Sequence, residues 1–164
     1  MVTAALDFLA MALYLVRHAK AGKRSQWEGP DFTRPLNYEG QLQAKALAKR
    51  IAAAKPTWLL SSPFIRCMQT LTELGELTGL PVIADDRLAE AREIAPIIEI
   101  LERAPHGAVL CSHGDIIPPT IQTLEARGMT ITTALDWRKA TVWVIERSES
   151  TFTSATVWPP PLSG

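Results

Sequence analysis

Short runs of apolar residues alternate along this chain with longer stretches in which apolar residues recur every three or four positions. Three of these runs have the length and composition typical of buried strands: residues 12–16, 58–60 and 108–111. Near the end of the chain, residues 141–145 and 152–157 are rich in β-branched and aromatic side chains, and polar residues 147–150 separate them. This pattern predicts a β-hairpin, or a pair of neighbouring strands, with its turn at 147–150.

The first two helical stretches have recognisable ends. Asn37 is a suitable N-cap, and apolar residues at i, i+3, i+4 and i+7 predict the helix after it: Ala44, Leu47, Ala48 and Ile51. Ser62 followed by Pro63 predicts the start of a second helix, because a capping hydroxyl and a proline at the first position suit a helix start. Gly79 is expected to end this helix, whose apolar stripe contains four residues: Phe64, Cys67, Met68 and Leu71.

Two further helices are predicted in the second half of the chain. One covers residues 94–103, where Pro96 is tolerated only in the first turn. The other begins at Pro118 or Pro119 and carries Ile121 and Leu124 on its apolar side. Because strands and helices alternate, we predict a three-layer α/β/α sandwich with a mainly parallel central sheet.

Length and composition indicate one domain, which we assign to residues 11–158. A hydrophobic content of 47% excludes a disordered chain. Residues 1–10 are expected to form an N-terminal extension, with Met1 or Met11 as the true start, and the proline-rich residues 159–164 a tail. The first residues lack the basic segment and cleavage site of a signal peptide and are too short to span a membrane. We therefore expect a cytoplasmic protein without a membrane partner.

Charge and cysteine content exclude two further classes of protein. With 17 basic and 17 acidic residues the formal net charge is zero, which argues against a protein that holds long nucleic acid by general electrostatics. Residues 17–34 nevertheless carry five basic side chains against Glu28 and Asp31, so the charge is distributed unevenly. Cys67 and Cys111 cannot form a disulfide scaffold and have no metal-binding spacing, so we expect core thiols.

Polar and charged residues directly follow three of the predicted strands. Arg17 and His18 follow the first strand, Ser-Ser-Pro at 61–63 follows the second with Arg66 one turn into the helix, and Ser-His-Gly at 112–114 follows the third. Since ligands of open α/β sheets bind outside the carboxyl ends of the strands, we expect both histidines and both arginines to converge on one crevice. Two guanidinium groups beside a helix N-terminus predict a phosphate site.

These residues resemble the motifs of the histidine phosphatase (phosphoglycerate mutase-like) superfamily. Residues 15–19, Leu-Val-Arg-His-Ala, are similar to its Arg-His-Gly motif, and residues 61–70, Ser-Ser-Pro-Phe-Ile-Arg-Cys-Met-Gln-Thr, to its Ser-Ser-Pro-x-x-Arg-x-x-Gln-Thr segment. Residues 112–114 resemble its second-histidine motif. The short chain and Arg-Pro-Leu at 34–36 resemble the small SixA-like phosphatases. The resemblance is closer still to the histidine phosphatase domain that some actinobacterial proteins carry behind a Nudix domain. These 164 residues contain no Nudix domain.

The resemblance implies a phosphoglycerate mutase-like fold and specific roles for the converging residues. His18 would be the nucleophile that attacks phosphorus and forms a phosphohistidine, which water then hydrolyses. Arg17, Arg66 and His113 would bind the phosphate oxygens and stabilise the transition state. This chemistry requires no metal ion and no other cofactor.

The resemblance also implies a general acid, for which there are two candidates. The family often has a Leu-x-Glu motif that residues 88–90 match, and this makes Glu90 the first candidate. Glu93, one turn further on, is the alternative, and either residue could equally be an exposed acid at a helix start. Protonation of the leaving oxygen would require a carboxyl pKa raised by burial or neighbouring carboxylates. Phosphohistidine hydrolysis has less need of an acid because its leaving group is an imidazole.

Several residues near the motifs have no role assigned by the resemblance. Ala19 stands where the family has glycine, which is tolerable if the backbone angles at that position allow a Cβ. Residues 137–139 (Trp-Arg-Lys) are candidates for the rim of the site, and Lys139 has no assigned role. His106, in a Pro-His-Gly loop, is expected to be structural. Four cations either contact substrate or are solvated loop charges: Lys20, Lys23, Arg24 and Arg34.

Three classes of function follow from these motifs. The leading hypothesis is a metal-independent phosphatase whose partner is a phosphorylated protein carrying phosphohistidine, or a small phosphorylated substrate such as a phosphomonoester or a nucleotide. The second is a catalytically weak module that binds a phosphorylated partner, against which the intact His18, Arg66 and His113 count. The third is a phosphotransferase or mutase, which the short chain disfavours.

Overall fold

The computed structural model describes residues 10–90 and 92–161. The described strands are β1 (Met11–Arg17), β2 (Trp58–Ser61), β3 (Val82–Ala84), β4 (Ala108–Ser112), β5 (Thr130–Ile131), β6 (Val142–Ser148) and β7 (Thr151–Trp158). The described helices are α1 (Tyr38–Ala53), α2 (Ile65–Thr78), α3 (Ala95–Arg103) and α4 (Ile117–Ala126). Of the predicted extension at 1–10 and tail at 159–164, all but residues 10 and 159–161 lie outside the described residues.

The strands form one sheet in the order β3-β2-β4-β1-β6-β7-β5. Strands β3, β2, β4 and β1 are parallel, β6 runs antiparallel to β1 and β7, and β5 is parallel to β7. In the middle of the sheet, Leu15 of β1 pairs with Leu110 of β4 on one side and with Trp143 of β6 on the other. The mainly parallel sheet is therefore confirmed, and the carboxyl ends of β2, β4 and β1 lie side by side.

Alternating side chains of the central strands pack against helices on both faces of the sheet. Leu13 and Leu15 belong to an apolar core with α3 and α4, whereas Tyr14 and Val16 belong to a second core with α1 and α2. This arrangement confirms the three-layer sandwich, because a strand buried on both faces needs a helix layer on each. Among the described helices, none is both long enough and apolar enough to cross a membrane.

The predicted helix ends are partly confirmed. The Asn37 side chain accepts a hydrogen bond of 2.8 Å from the backbone N–H of Gly40 and caps α1, and Gly79 ends α2 in the left-handed conformation with φ 73°. The predicted start of α2 at Ser62 is wrong. The helix begins at Ile65, and its N-cap residue, Phe64, has no side chain that can cap it. The Ser62 hydroxyl lies 2.8 Å from Nε2 of His113 and accepts a longer hydrogen bond of 3.3 Å from the Phe64 N–H.

The C-terminal hairpin is confirmed, but its turn is shorter than predicted. Strand β6 continues through Ser148, so that only residues 149–150 separate it from β7. Arg147, placed in the turn by its polarity, is a buried strand residue that donates hydrogen bonds to the carbonyls of Leu101 and Ala104 at the end of α3. His106 has the structural role expected for it, because its Nδ1 accepts a hydrogen bond of 3.0 Å from the backbone N–H of residue 12.

Candidate active site

The carboxyl ends of β1, β2 and β4 open into one polar cavity of about 230 Å³. The structure brings together there the two arginines and two histidines that the sequence analysis selected. They come from three segments that lie far apart in the sequence, as expected for strand ends that share one edge of a parallel sheet. The cavity is lined by Arg17, His18, Arg24, Arg34, Arg66, Glu90, His113, Gly114, Asp115 and Lys139.

His18 is held in a single tautomer by its neighbour. Its Nδ1 lies 2.7 Å from the carbonyl oxygen of Ala19, and because a carbonyl can only accept, Nδ1 carries the proton. The lone pair available for attack on phosphorus is therefore on Nε2. Burial, with smaller contributions from His113, Arg66 and Arg17, lowers the pKa of His18 to about 3 against the opposing effect of the Ala19 carbonyl. The imidazole is consequently neutral at physiological pH.

Backbone hydrogen bonds fix the segment that carries this histidine. The N–H of His18 donates to the carbonyl of Ser112 at 3.1 Å, and the N–H of Ala19 donates to the Thr70 hydroxyl at 3.0 Å. Ala19 is fully buried and does not have a positive φ, so its backbone tolerates the Cβ that the family glycine lacks. The alanine at this position is therefore compatible with the backbone that carries His18.

Arg17 is held between a backbone carbonyl and a glycine. One of its terminal nitrogens donates a hydrogen bond to the carbonyl oxygen of Trp137, and its guanidinium group packs against Gly114, directly after the second histidine. Its Nε is buried and has no hydrogen-bond partner in the described part of the chain. Partial burial lowers the pKa of Arg17, and the nearby Asp115 carboxylate raises it.

Arg66 is 1% exposed and is held by a loop that precedes α1. It donates to the Asp31 backbone carbonyl at 3.0 Å and to the Asp31 carboxylate at 3.1 Å. It also donates to Glu90 at 2.5 Å, and its guanidinium carbon lies 4.9 Å from the centre of the Phe64 ring. Its Nε, like that of Arg17, is buried and has no partner among the described residues.

His113 is oriented by the serine that follows β2. Its Nε2 lies 2.8 Å from the Ser62 hydroxyl and 3.5 Å from the Cys67 sulfur. Its ring stands edge-on to that of His18, with 5.5 Å between the ring centres. Its Nδ1 is buried without a hydrogen-bond partner among the described residues, although the Glu90 carboxylate lies 3.4 Å away.

Three buried nitrogens of residues that line this cavity, one each from Arg17, Arg66 and His113, have no hydrogen-bond partner in the described part of the chain. A buried polar group without a partner is costly, and buried donors of native proteins are nearly always satisfied. Guanidinium groups that line one cavity together with a neutral imidazole match the oxygens of a phosphoryl group. The arrangement can bind phosphate and can stabilise charge on it during transfer.

The two candidate acids lie in different places. Glu90 lines the cavity and accepts hydrogen bonds through both oxygens, from Arg24 at 2.8 Å and from Arg66 at 2.5 Å. Glu93 is exposed and lies beside a separate surface depression with Asp86. Of the two, only Glu90 is in a position to meet a substrate bound at His18.

The remaining basic residues divide into two groups. Arg24, Arg34 and Lys139 line the cavity, and Arg24 and Arg34 are both paired with Asp31. The other residues point elsewhere: Lys20 pairs with Glu39, Arg138 pairs with Asp136, and Lys23 is exposed at a neighbouring groove.

Asp31 belongs to the site but was not assigned to it from the sequence, whereas Ser62 and Trp137 were named there only as members of motif segments, without a role. Asp31 joins three arginines through its carboxylate, and its pKa is lowered because their hydrogen bonds and charges outweigh the opposing effect of partial burial. The sequence did contain one signal for Asp31, because it is one of two acids among the basic residues of segment 17–34. Trp137 contributes only a backbone carbonyl, which leaves no signal in a sequence.

Metal ions in proteins are held by clusters of histidine, cysteine, aspartate and glutamate side chains. In residues 10–90 and 92–161, no group of three or more histidine, cysteine, aspartate and glutamate side chains is placed to hold a metal ion. Cys67 and Cys111 are free thiols buried in the core beneath His113. The charged groups that face a phosphate here are the protein's own arginines.

Comparison with known proteins places the chain in a family. Residues 13–95 match the histidine phosphatase superfamily (branch 1). The chain is 32% identical over 154 residues to an 8-oxo-(d)GTP phosphatase of Mycolicibacterium smegmatis. The match covers 90% of this chain and 48% of that protein. It is 33% identical over 90 residues to the transcription factor tau 55 kDa subunit of Saccharomyces cerevisiae, which matches 48% of this chain and 20% of that protein. The chain thus spans half or less of these relatives.

Solved structures share the fold. The protein histidine phosphatase SixA complexed with tungstate superposes with a TM-score of 0.69 at 22% identity, over 90% of this chain and 94% of that chain. A mycobacterial glucosyl-3-phosphoglycerate phosphatase in complex with VO3 gives a TM-score of 0.69 at 18% identity, over 93% of this chain and all of that chain. The expected phosphoglycerate mutase-like fold is confirmed. Since the matched segment covers half of the sequence and contains His18 and Arg66, the chain belongs to the histidine phosphatase superfamily.

Proposed function

We propose that this protein is a phosphatase that works without a metal ion and forms a covalent phosphohistidine at His18. Nε2 of His18 bonds to phosphorus while the bond from phosphorus to the leaving group breaks, and the leaving group departs with the electron pair. Water then attacks phosphorus, the P–N bond breaks, and phosphate and free His18 are released. Arg17, Arg66 and His113 bind the phosphoryl oxygens in both steps.

One observation carries this proposal. Nδ1 of His18 donates to the Ala19 carbonyl, so the lone pair on Nε2 belongs to a neutral ring that lines the same cavity as Arg17, Arg66 and His113. A neutral nucleophile beside guanidinium donors is the arrangement that in-line phosphoryl transfer requires. A module that only bound phosphorylated partners would have no need of a fixed imidazole tautomer.

Two kinds of substrate are compatible with this site. A protein phosphohistidine or a phosphomonoester is the first, because the cavity lies at an open sheet edge and its donors fit one phosphoryl group. A nucleotide or another small phosphate is the second, and the identity of 32% to a protein named 8-oxo-(d)GTP phosphatase favours it. The two candidates share the phospho-His18 intermediate, so one experiment tests the mechanism for both.

The test is to trap the intermediate. The protein is incubated in EDTA with labelled phosphohistidine protein, nucleotides or sugar phosphates, then quenched at alkaline pH. We expect a phosphoprotein that is stable to base and labile to acid, and that His18→Ala abolishes. His106→Ala is the matched control, because His106 is exposed and remote from the cavity, and it should label like the wild type. Normal turnover by His18→Ala would contradict the proposal, and loss of activity in EDTA would contradict its metal-free part.

A further inference from the structure

Lys139 is held beside the nucleophile by a loop that is fastened to the end of β1. The N–H of Ala140 donates to the carbonyls of Arg17 and His18, each at 3.2 Å, and the N–H of Arg17 donates to the carbonyl of Thr141 at 3.1 Å. Ala140 is fully buried and adopts a left-handed conformation with φ 64°, which an alanine rarely does. This strained backbone conformation and these hydrogen bonds hold the loop, and with it Lys139, at the cavity.

The charged groups that act most strongly on Lys139 are all cations. Partial burial lowers the pKa of Lys139, and so do the positive charges of Arg17, Arg34, Arg66 and Lys20. Arg17 and Arg66 belong to the group that faces the transferred phosphoryl group. Arg34 lines both this cavity and the adjoining groove beside Trp27. Its Nε pairs with Asp31 and one terminal nitrogen donates to the Gly22 carbonyl, so an anion would meet its other terminal nitrogen. An anion placed between Lys139 and Arg34 would relieve the repulsion among these cations.

The contacts of Glu90 bear on which leaving group suits this site. Both carboxylate oxygens accept hydrogen bonds from arginines, Oε1 from Arg24 and Oε2 from Arg66. In that geometry both carboxylate oxygens are engaged by guanidinium groups, and neither is directed towards a leaving group as a donor. The arrangement therefore suits a leaving group that departs without protonation, and a phosphate group is such a leaving group whereas an alkoxide is not.

We propose that Lys139 and Arg34 bind a second phosphate group of the substrate, next to the phosphoryl group transferred to His18, and thereby select phosphoanhydrides. This inference rests on the proposed phospho-His18 mechanism. Nε2 of His18 bonds to the terminal phosphorus, the anhydride P–O bond breaks, and its electron pair stays on the oxygen of the second phosphate. That phosphate leaves as an anion held by Lys139 and Arg34, and water later hydrolyses phospho-His18. No step requires a proton from the protein.

A kinetic comparison of three variants tests the role of Lys139. Lys139→Ala should lower kcat/KM for a nucleoside diphosphate by about tenfold or more, mainly through KM, because a charge-assisted contact is lost. The same variant should change kcat/KM for p-nitrophenyl phosphate, which has no second phosphate, by less than about threefold. Lys139→Arg should restore most of the loss. Arg138→Ala removes a charge from the same loop, but its side chain pairs with Asp136, so it should behave as the wild type on both substrates.

Two outcomes would overturn the inference. Equal losses on both substrates would mean that Lys139 serves the transferred phosphoryl group, and no loss on the diphosphate would mean that it binds no substrate. A binding measurement distinguishes failure of this inference from failure of the phospho-His18 mechanism. In His18→Ala, which cannot form the intermediate, inorganic pyrophosphate should bind about tenfold more tightly than inorganic phosphate, and Lys139→Ala in the same background should remove the difference. Equal binding of the two anions in His18→Ala would overturn the inference even if phospho-His18 is trapped.

Discussion

The guanidinium group of Arg17 packs so closely against Gly114 that a β-carbon at position 114 would lie 2.5 Å from its central carbon. Arg17 is also tied to the Trp137 carbonyl, so it cannot move away freely. Gly114→Ala should therefore displace Arg17 from the phosphate and lower kcat/KM for p-nitrophenyl phosphate by about 100-fold. The melting temperature should change little, and this serves as the control for folding. Full activity in a folded Gly114→Ala protein would show that Arg17 does not bind the phosphoryl group.

The Ser62 hydroxyl makes the shorter of two contacts at Nε2 of His113, and the Cys67 sulfur makes the longer one. Ser62 lies 2.8 Å from Nε2 of His113, and without it the ring can rotate away from the phosphoryl oxygens. We expect Ser62→Ala to lower kcat by about tenfold, with a smaller effect on KM. Ser61→Ala is the matched control, because the Ser61 hydroxyl is equally buried but donates to the carbonyl of residue 62. If both variants lose activity to the same extent, the effect belongs to packing and not to His113.

Asp31 is expected to hold the arginines of the cavity together. It contacts Arg24, Arg34 and Arg66, and the pKa of its carboxyl is lowered by these partners against the effect of partial burial. Asp31→Ala should lower kcat/KM by about tenfold, because Arg66 loses one of its two carboxylate partners and is held less firmly towards the phosphate. Asp86→Ala, which removes an exposed carboxylate outside the cavity, should have no effect. Comparable activity of the two variants would rule out this role for Asp31.

The sequence predicted those parts of the site that topology dictates. Parallel strands must end at one edge, so polar residues directly after β1, β2 and β4 had to meet, and His18 and His113 could be paired although 95 positions separate them. Asp31 could not be found in this way. Its contact with Arg66 depends on how an irregular loop folds back over α2, and no local periodicity records such a path.

Ser62 shows why local rules misplaced a helix end. A serine followed by proline has the chemistry of a helix cap, and the same hydroxyl can hydrogen-bond a histidine from a neighbouring strand. In the structure the Ser62 hydroxyl contacts His113, and α2 begins only at Ile65 with Phe64 as its N-cap residue. Arg147 was misplaced for a related reason, since its charge suggested a turn while its guanidinium group is needed by the carbonyls at the end of α3. Both errors arise where a polar side chain has a partner distant in sequence.

The low pKa of His18 predicts a specific dependence of stability on pH. Burial lowers that pKa from 6.5 to about 3, so between these values the unfolded chain binds a proton that the folded protein does not. The free energy of unfolding therefore falls as the pH falls from 6.5 towards 3. Between pH 7.5 and pH 5 the contribution of His18 is on the order of 1–2 kcal/mol.

His18→Gln removes this titration without emptying the site. Urea unfolding of the wild type should therefore lose more stability between pH 7.5 and pH 5 than that of His18→Gln, by on the order of 1–2 kcal/mol. Because the difference between the two proteins is compared at each pH, the other titrating groups cancel. Equal losses for both proteins would mean that His18 is protonated in the folded state at pH 5, and His18 could not then be a neutral nucleophile under those conditions.

Glu90 is expected to position arginines and not to donate a proton. A proton donor matters most for poor leaving groups, so loss of a general acid would harm alkyl phosphates far more than p-nitrophenyl phosphate. Because both Glu90 oxygens accept hydrogen bonds from arginines, we expect Glu90→Gln to lower kcat/KM for the two substrates equally, by about tenfold. Glu93→Gln, which changes an exposed acid outside the cavity, should have no effect. A loss at least about tenfold greater on the alkyl phosphate would restore Glu90 as the acid, and the phosphoanhydride preference would then lose one of its two supports.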